Sequence, residues 1–117
     1  MKYNKKFKVS IKPLSVNKLW QGRRFKTKDY KSYSHAVLLL LKNYKEKHTG
    51  YVGIELEWHI KNFKLSDEAN FLKAFLDLIV KAGIIEDDRF IKWHRSEKFF
   101  SKDQFITFRI IELDNDV

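Results

Sequence analysis

Between residues 52 and 61 the chain alternates without a break: Val52, Ile54, Leu56, Trp58 and Ile60 against Gly53, Glu55, Glu57, His59 and Lys61. A period of two predicts a strand with one face buried. The same pattern appears near the start, where Phe7, Val9 and Ile11 alternate with Lys6, Lys8, Ser10 and Lys12 until Pro13 ends it. Over residues 68–82 the period lengthens. Phe71, Leu72, Phe75, Leu76, Ile79 and Val80 recur at helical spacing as a core-facing stripe, while Asn70, Lys73, Asp77 and Lys81 share the opposite face. Gly83 supplies the left-handed cap after this helix, and Ile84 and Ile85 return the chain to the core. Residues 33–47 predict a second helix from Val37, Leu38, Leu41 and Tyr44, with lysines toward its C-terminal end, where they favour the dipole. Thr49 and Gly50 stop it. Two more strands are expected over 89–99 and 105–113, joined by a polar turn at 101–104. Residues 14–33 show no clean period and read as a long loop. Residues 62–66 read as a polar connection, and 114–117 as a fraying tail.

This order, β-loop-α-β-α-β-β, predicts an α+β fold: a mostly antiparallel four-stranded sheet with two helices packed on it, in one domain over residues 1–117. Four strands leave open edges, which dimerisation would hide.

Charge adds a division that the pattern lacks. Residues 1–50 hold 14 Lys and Arg against 2 acids, whereas residues 51–117 hold 10 against 13, within a net charge of +9. A basic front half is the electrostatic footprint of a polyanion partner, because lysine and arginine on phosphates release counterions. Solubility alone also favours basic proteins. The loop 14–33 concentrates the signal, with Lys18, Arg23, Arg24, Lys26, Lys28 and Lys31 around Trp20, Phe25 and Tyr30. Cations suit phosphates and rings suit exposed bases; the alternative is that Trp20 and Phe25 tuck into the core. The chain has no cysteine, which excludes disulfides, thiol catalysis and cysteine-ligated zinc and fits a reducing cytosol. Its longest apolar run, residues 36–41, is too short to span a bilayer, and the basic start lacks the apolar segment of a signal peptide.

Residues 66–89 carry the candidate chemistry. Asp67 and Glu68 stand just before the longer helical pattern, Glu86, Asp87 and Asp88 just after it, and Lys73 between. Hard oxygen ligands suit Mg²⁺ or Mn²⁺, and a metal can activate water and neutralise charge on a phosphodiester. Asp67 and Asp88 would converge if the Gly83 turn brings the two flanks of the helix together. Lys73 would then hold a phosphate oxygen. Each residue also has a plain structural role: Asp67 as a helix N-cap, the Glu86 cluster as a solvated turn, and Lys73 with Asp77 as a surface i,i+4 pair of roughly 0.3–0.5 kcal/mol. His35, His48, His59 and His94 have no ligand spacing, with His59 on the solvent side of its strand. There is no phosphate-cradling glycine loop and no Ser-His-Asp arrangement.

Three motifs together resemble the RusA family of Holliday junction resolvases: Pro-Leu-Ser-Val-Asn-Lys-Leu-Trp at 13–20, Asp-Glu-Ala-Asn-Phe-Leu-Lys-Ala-Phe-Leu-Asp at 67–77, and Ala-Gly-Ile-Ile-Glu-Asp-Asp at 82–88. The resemblance covers nearly the whole chain. It implies a homodimeric, magnesium-dependent endodeoxyribonuclease that nicks four-way DNA junctions in recombination and repair, in the cytoplasm of a bacterial host and in a phage or prophage setting. Carried over residue by residue, it makes Asp67 and Asp88 metal ligands, Lys73 the catalytic lysine, and Asn70 and Asp87 supporting residues, with Asp87 also a candidate ligand. The family pattern Asp-x-Asp-Asn-x-x-Lys departs here at one position: Ala69 stands where the second aspartate belongs. Alanine neither binds metal nor acts as a base. Either the residue is an engineered substitution, or the chain is a natural variant that binds without cutting, or Glu68 or Asp87 completes a rearranged site. On this nuclease reading the basic segment from Lys18 to Lys31, with Lys18, Arg23, Arg24, Lys26 and Lys28, would grip the junction arms, and Phe25 would wedge between bases at the crossover. Two further readings remain beside the nuclease: a catalytically inactive junction- or partner-binding regulator of a phage or mobile element, and a basic scaffold with no DNA role.

Overall fold

A computed structural model describes residues 2–3, 5–14, 20–21, 25–26, 28–61 and 68–113. Their elements are β1 (Lys2–Tyr3), β2 (Phe7–Val9), β3 (Trp20–Gln21), β4 (Phe25–Lys26), α1 (Lys28–Leu41), β5 (Val52–Ile60), α2 (Glu68–Lys81), a single 3₁₀ turn (Asp88–Phe90), β6 (Ile91–Phe100) and β7 (Phe105–Glu112). The expected α+β fold is present. The predicted connection 62–66 and tail 114–117 lie outside the described residues.

β5 is the centre of the main sheet. β7 pairs with it antiparallel, from Val52↔Glu112 to His59↔Phe105. On the far side of β7, β1 and β2 pair antiparallel, one at each end. β6 pairs with β5 on the other side, and in parallel. The sheet is therefore mixed rather than mostly antiparallel, and its described strands number five. The reason is the connection. Parallel neighbours need a crossover of a dozen residues or more, and α2 is that crossover, returning the chain to the end of the sheet where β5 began.

The helices cover one face. Phe71, Ala74, Phe75, Leu78 and Ile79 of α2 are buried, at the i, i+3, i+4, i+7, i+8 spacing of a core stripe. Trp58 packs between Phe71 and Phe75, with ring centroids 5.6 and 6.0 Å away. α1 contributes Tyr30, Tyr33, Val37 and Leu41 to the same core. Tyr30 and Tyr33 continue the stripe of Val37 backwards by two turns, so α1 starts at Lys28 within the segment expected to be loop. It also ends earlier than expected, at Leu41. Short i→i−3 bonds from the Lys42, Asn43 and Tyr44 amides close the turn, and no basic residue occupies its last turn. Tyr44 leaves the helix and packs its ring on Phe108 and Phe7. The predicted dipole partnership of the lysines is thus not made. The rest of the expected loop includes a two-stranded ribbon, β3 with β4.

The opposite face of the sheet has no helix on it among the described residues. Its side chains pair with one another: Arg109 and Arg95 on Glu55 and Lys6 on Glu57 as ion pairs, with the Thr107 hydroxyl and the His59 ring hydrogen-bonded to Glu57. The solvent-side placement expected for His59 holds, and its ring stacks between Phe99 and Phe105 at 5.0 and 4.1 Å. Further along, the Trp93 indole lies against Gly53, where a side chain would collide with it. Among the described residues no helix is long and apolar enough to cross a membrane.

Gly53→Ala is expected to cost about 1–3 kcal/mol through overpacking. In a Trp93→Ala background most of that cost should disappear, as read by denaturant unfolding of the four proteins of the cycle.

Candidate functional site

The crossover places the end of α2 and the start of β6 at one end of the sheet, and the predicted acidic cluster lies there. Gly83 takes the expected positive φ, +80°, after α2. Residues 84–86 are then tied to the segment before β5. The His48 amide donates to the Ile84 carbonyl at 2.8 Å, and the Gly50 amide donates to Glu86 Oε1 at 3.0 Å. Gly50 has φ +77°, which a non-glycine residue takes only with strain, so glycine is needed to aim that amide. His48 is itself buried. Its Nδ1 lies 2.8 Å from Glu112 Oε2 and its Nε2 lies 2.7 Å from the Tyr44 hydroxyl. A histidine that the sequence left without a role is therefore a crosslink between three segments.

Held in this way, the chain passes into Asp87 and Asp88. Asp87 is in extended conformation and caps the 3₁₀ turn, its Oδ1 accepting from the Arg89 amide at 3.1 Å. That bond, with a hydrogen bond from the Asp88 carboxyl, holds Asp87 below the usual aspartate range. Asp88 is pushed up, first by its hydrogen bond to and the charge of Asp87, and further by Asp77. The charge on Asp87 disfavours ionisation of Asp88, so the two carboxyls titrate as a pair.

Both line a cleft of ≈ 340 Å³ together with Asp77, Lys81, Val80 and Tyr30. Asp77 was expected only as a surface partner of Lys73, yet it faces the Asp87–Asp88 pair and makes no ion pair with Lys73. Tyr30 is buried. Burial raises its hydroxyl pKa, and the Asp77 charge raises it again, against a hydrogen bond with Ser34. The sequence signal for Asp77 was its place on the Lys73–Lys81 face of α2; for Tyr30 there was none, because it was read as part of a loop.

Other candidates fall elsewhere. Lys73 is exposed one turn before Asp77 on α2, outside the cleft lining. Asp67 lies outside the described residues, as do the side chains of Glu68, Ala69 and Asn70. The first residue of α2 is about 13 Å of helix axis from Asp77, at 1.5 Å per residue. Lys18, Arg23 and Arg24 and the side chains of Phe25 and Lys26 are also outside the described residues; Lys28 is exposed at the start of α1. Among the described residues no three His, Asp or Glu side chains close into a ready metal site. The cleft's donors are nevertheless carboxylate and phenol oxygens, the chemistry that a hard divalent cation prefers.

An acidic, oxygen-lined cleft on a strongly basic α+β domain is suited to a protein that acts on phosphodiesters. Comparison with known proteins defines the class further. Residues 11–111 match the profile of the family described as Endodeoxyribonuclease RusA, and the chain belongs to that family. The family is one of endodeoxyribonucleases and implies junction-resolving nuclease chemistry in DNA recombination; its resolvases are generally divalent-metal dependent. No curated protein matches the chain.

In metal-free protein, ¹³C-detected NMR should show the Asp87–Asp88 pair titrating in two steps, one below and one above the ordinary aspartate range. Asp77→Asn should lower the upper step.

Proposed function

We propose that the chain acts as a homodimeric, divalent-metal-dependent Holliday junction resolvase on four-way DNA junctions. The observation that carries this reading is the cleft in which α2 presents Asp77 to the Asp87–Asp88 pair, in a chain of the RusA endonuclease family. Asp88 and Asp87 would hold Mg²⁺ or Mn²⁺, with Asp67 carried over from the family pattern and Asp77 completing the acidic wall. The metal, when bound, activates water and neutralises phosphate charge. Lys73 would hold a phosphate oxygen of a strand lying along the exposed face of α2. Asn70 and Glu68 would support that end of the helix, and the basic stretch from Lys18 through Arg23, Arg24, Phe25, Lys26 and Lys28 would grip the arms. The homodimer has its own support in β6: ten residues long and paired only to β5 among the described strands, it leaves an edge for a second copy to cover.

A second reading has a specific observation behind it. Ala69 removes a carboxylate that the family pattern supplies, which favours a chain that binds junctions without cutting them, as a regulator in a phage or mobile element. The structure adds a candidate for compensation, since Asp77 stands beside Asp88 where the sequence offered only Glu68 or Asp87.

A labelled four-way junction with Mg²⁺ or Mn²⁺ separates these readings. Wild type, Ala69→Asp, Asp77→Asn and Asp88→Asn are compared under single-turnover conditions. If the wild type resolves the junction, Asp88→Asn should lower the rate of order 10²-fold or more, since a lost charge-stabilising group costs several kcal/mol. Compensation by Asp77 requires that Asp77→Asn fall with it. Cleavage by Ala69→Asp alone identifies a disabled resolvase. Cleavage by none of the four removes the nuclease reading.

A further inference from the structure

Four side chains on the far side of Asp88 take no part in the cleft. Arg89 and Phe90 complete the 3₁₀ turn, Lys92 is the second residue of β6, and Tyr51 immediately precedes β5. Val52 is in register with Ile91, so the two strand starts are neighbours. The rings of Tyr51 and Phe90 meet edge to face at 5.7 Å. The Arg89 guanidinium lies 5.1 Å from the centre of the Phe90 ring, and the Lys92 ammonium lies 5.8 Å from that of Tyr51. Arg89 and Lys92 are both exposed, and Tyr51 is 37% exposed beside a fully buried Val52.

Elsewhere on this sheet several bases are spent on acids, Arg95 and Arg109 on Glu55 and Lys6 on Glu57, although Lys8 sits over the Phe105 ring. Among the described residues neither Arg89 nor Lys92 is in an ion pair. Two exposed cations outside any ion pair, Arg89 near enough to Asp87 to lower its pKa, are seated on two aromatic rings at the rim of an acidic cleft and are suited to phosphates and to an exposed sugar or base. Their place matters as well. Carboxylates repel a phosphodiester backbone, and cations next to them offset that repulsion for a strand arriving at Asp88.

We propose that Tyr51, Arg89, Phe90 and Lys92 form a DNA-strand contact at the rim of the acidic cleft, separate from the basic front half. Arg89 and Lys92 take phosphates, and Tyr51, backed by Phe90, packs against an exposed sugar or base. This rests on the DNA-binding part of the function proposed above, but not on cleavage.

The test measures binding to a labelled four-way junction in EDTA across a salt series, so it is independent of metal and activity. Each phosphate contact contributes close to one unit to the slope of log K against log salt. Arg89→Ala with Lys92→Ala should therefore reduce the slope by about 2 and weaken binding to all sequences alike. Lys61→Ala with Lys102→Ala, which removes the same charge elsewhere, should leave the slope unchanged. Arg89→Lys with Lys92→Arg should retain the slope. Tyr51→Leu should lower affinity with the slope unchanged, and Tyr51→Phe should restore it. Circular dichroism confirms that each variant is folded. An unchanged slope in the folded Arg89/Lys92 double variant overturns the rim contact and leaves the DNA-binding reading standing. An equal fall in the Lys61/Lys102 pair also overturns it, by reducing the effect to net charge. Absence of salt-dependent binding by the wild type overturns both.

Discussion

The parallel pairing of β5 with β6 is the constraint on which the candidate site depends. A strand can lie parallel to its neighbour only if the chain first travels back, and here α2 makes that return over the buried face of the sheet. The C-terminal half of α2 thereby arrives beside the start of β6, and Asp77 meets Asp87 and Asp88 at one end of the sheet. An antiparallel β6 would have required a tight turn after β5, with no helix to bring Asp77 to the acidic pair. The same pairing sets Tyr51, ahead of β5, beside Arg89, Phe90 and Lys92 at the head of β6.

Placement also requires rigidity, and the acidic turn is held from behind. His48 and Gly50 donate backbone hydrogen bonds to residues 84 and 86, and His48 is locked in turn between Tyr44 and Glu112. A buried imidazole with both ring nitrogens occupied leaves no unpaired polar atom to penalise the fold. These bonds end one residue before Asp87. The carboxyls that follow are the part of the turn left to solvent, where they act on each other and face a third acid. Such an arrangement is unfavourable for an empty anionic cleft and favourable for one that takes a cation.

Legibility varied with the kind of signal. Period-two alternation located β5 and β2, and the stripe from Phe71 to Ile79 located α2, because each depends on burying one face and every residue in it votes. Gly83 was readable because only glycine takes that backbone turn without strain. The start of α1 was not readable: its exposed face carries Lys28 and Lys31, so the apolar stripe begins with two tyrosines whose hydroxyls disguise it. Lysines at 42, 45 and 47 looked like the end of a helix, but Tyr44 gained more by packing on Phe7 and Phe108 than by continuing it.

The sequence by itself determined the class of fold, the acids flanking α2, the basic front half and the family pattern with its alanine at 69, since all of these are written in local spacing. Only the tertiary structure decided that β6 runs parallel to β5, that Asp77 rather than a chain neighbour joins Asp87 and Asp88, and that His48 braces the turn. Those contacts join residues 10 to 64 positions apart, and no local period encodes which distant segment the hydrophobic faces will bring together.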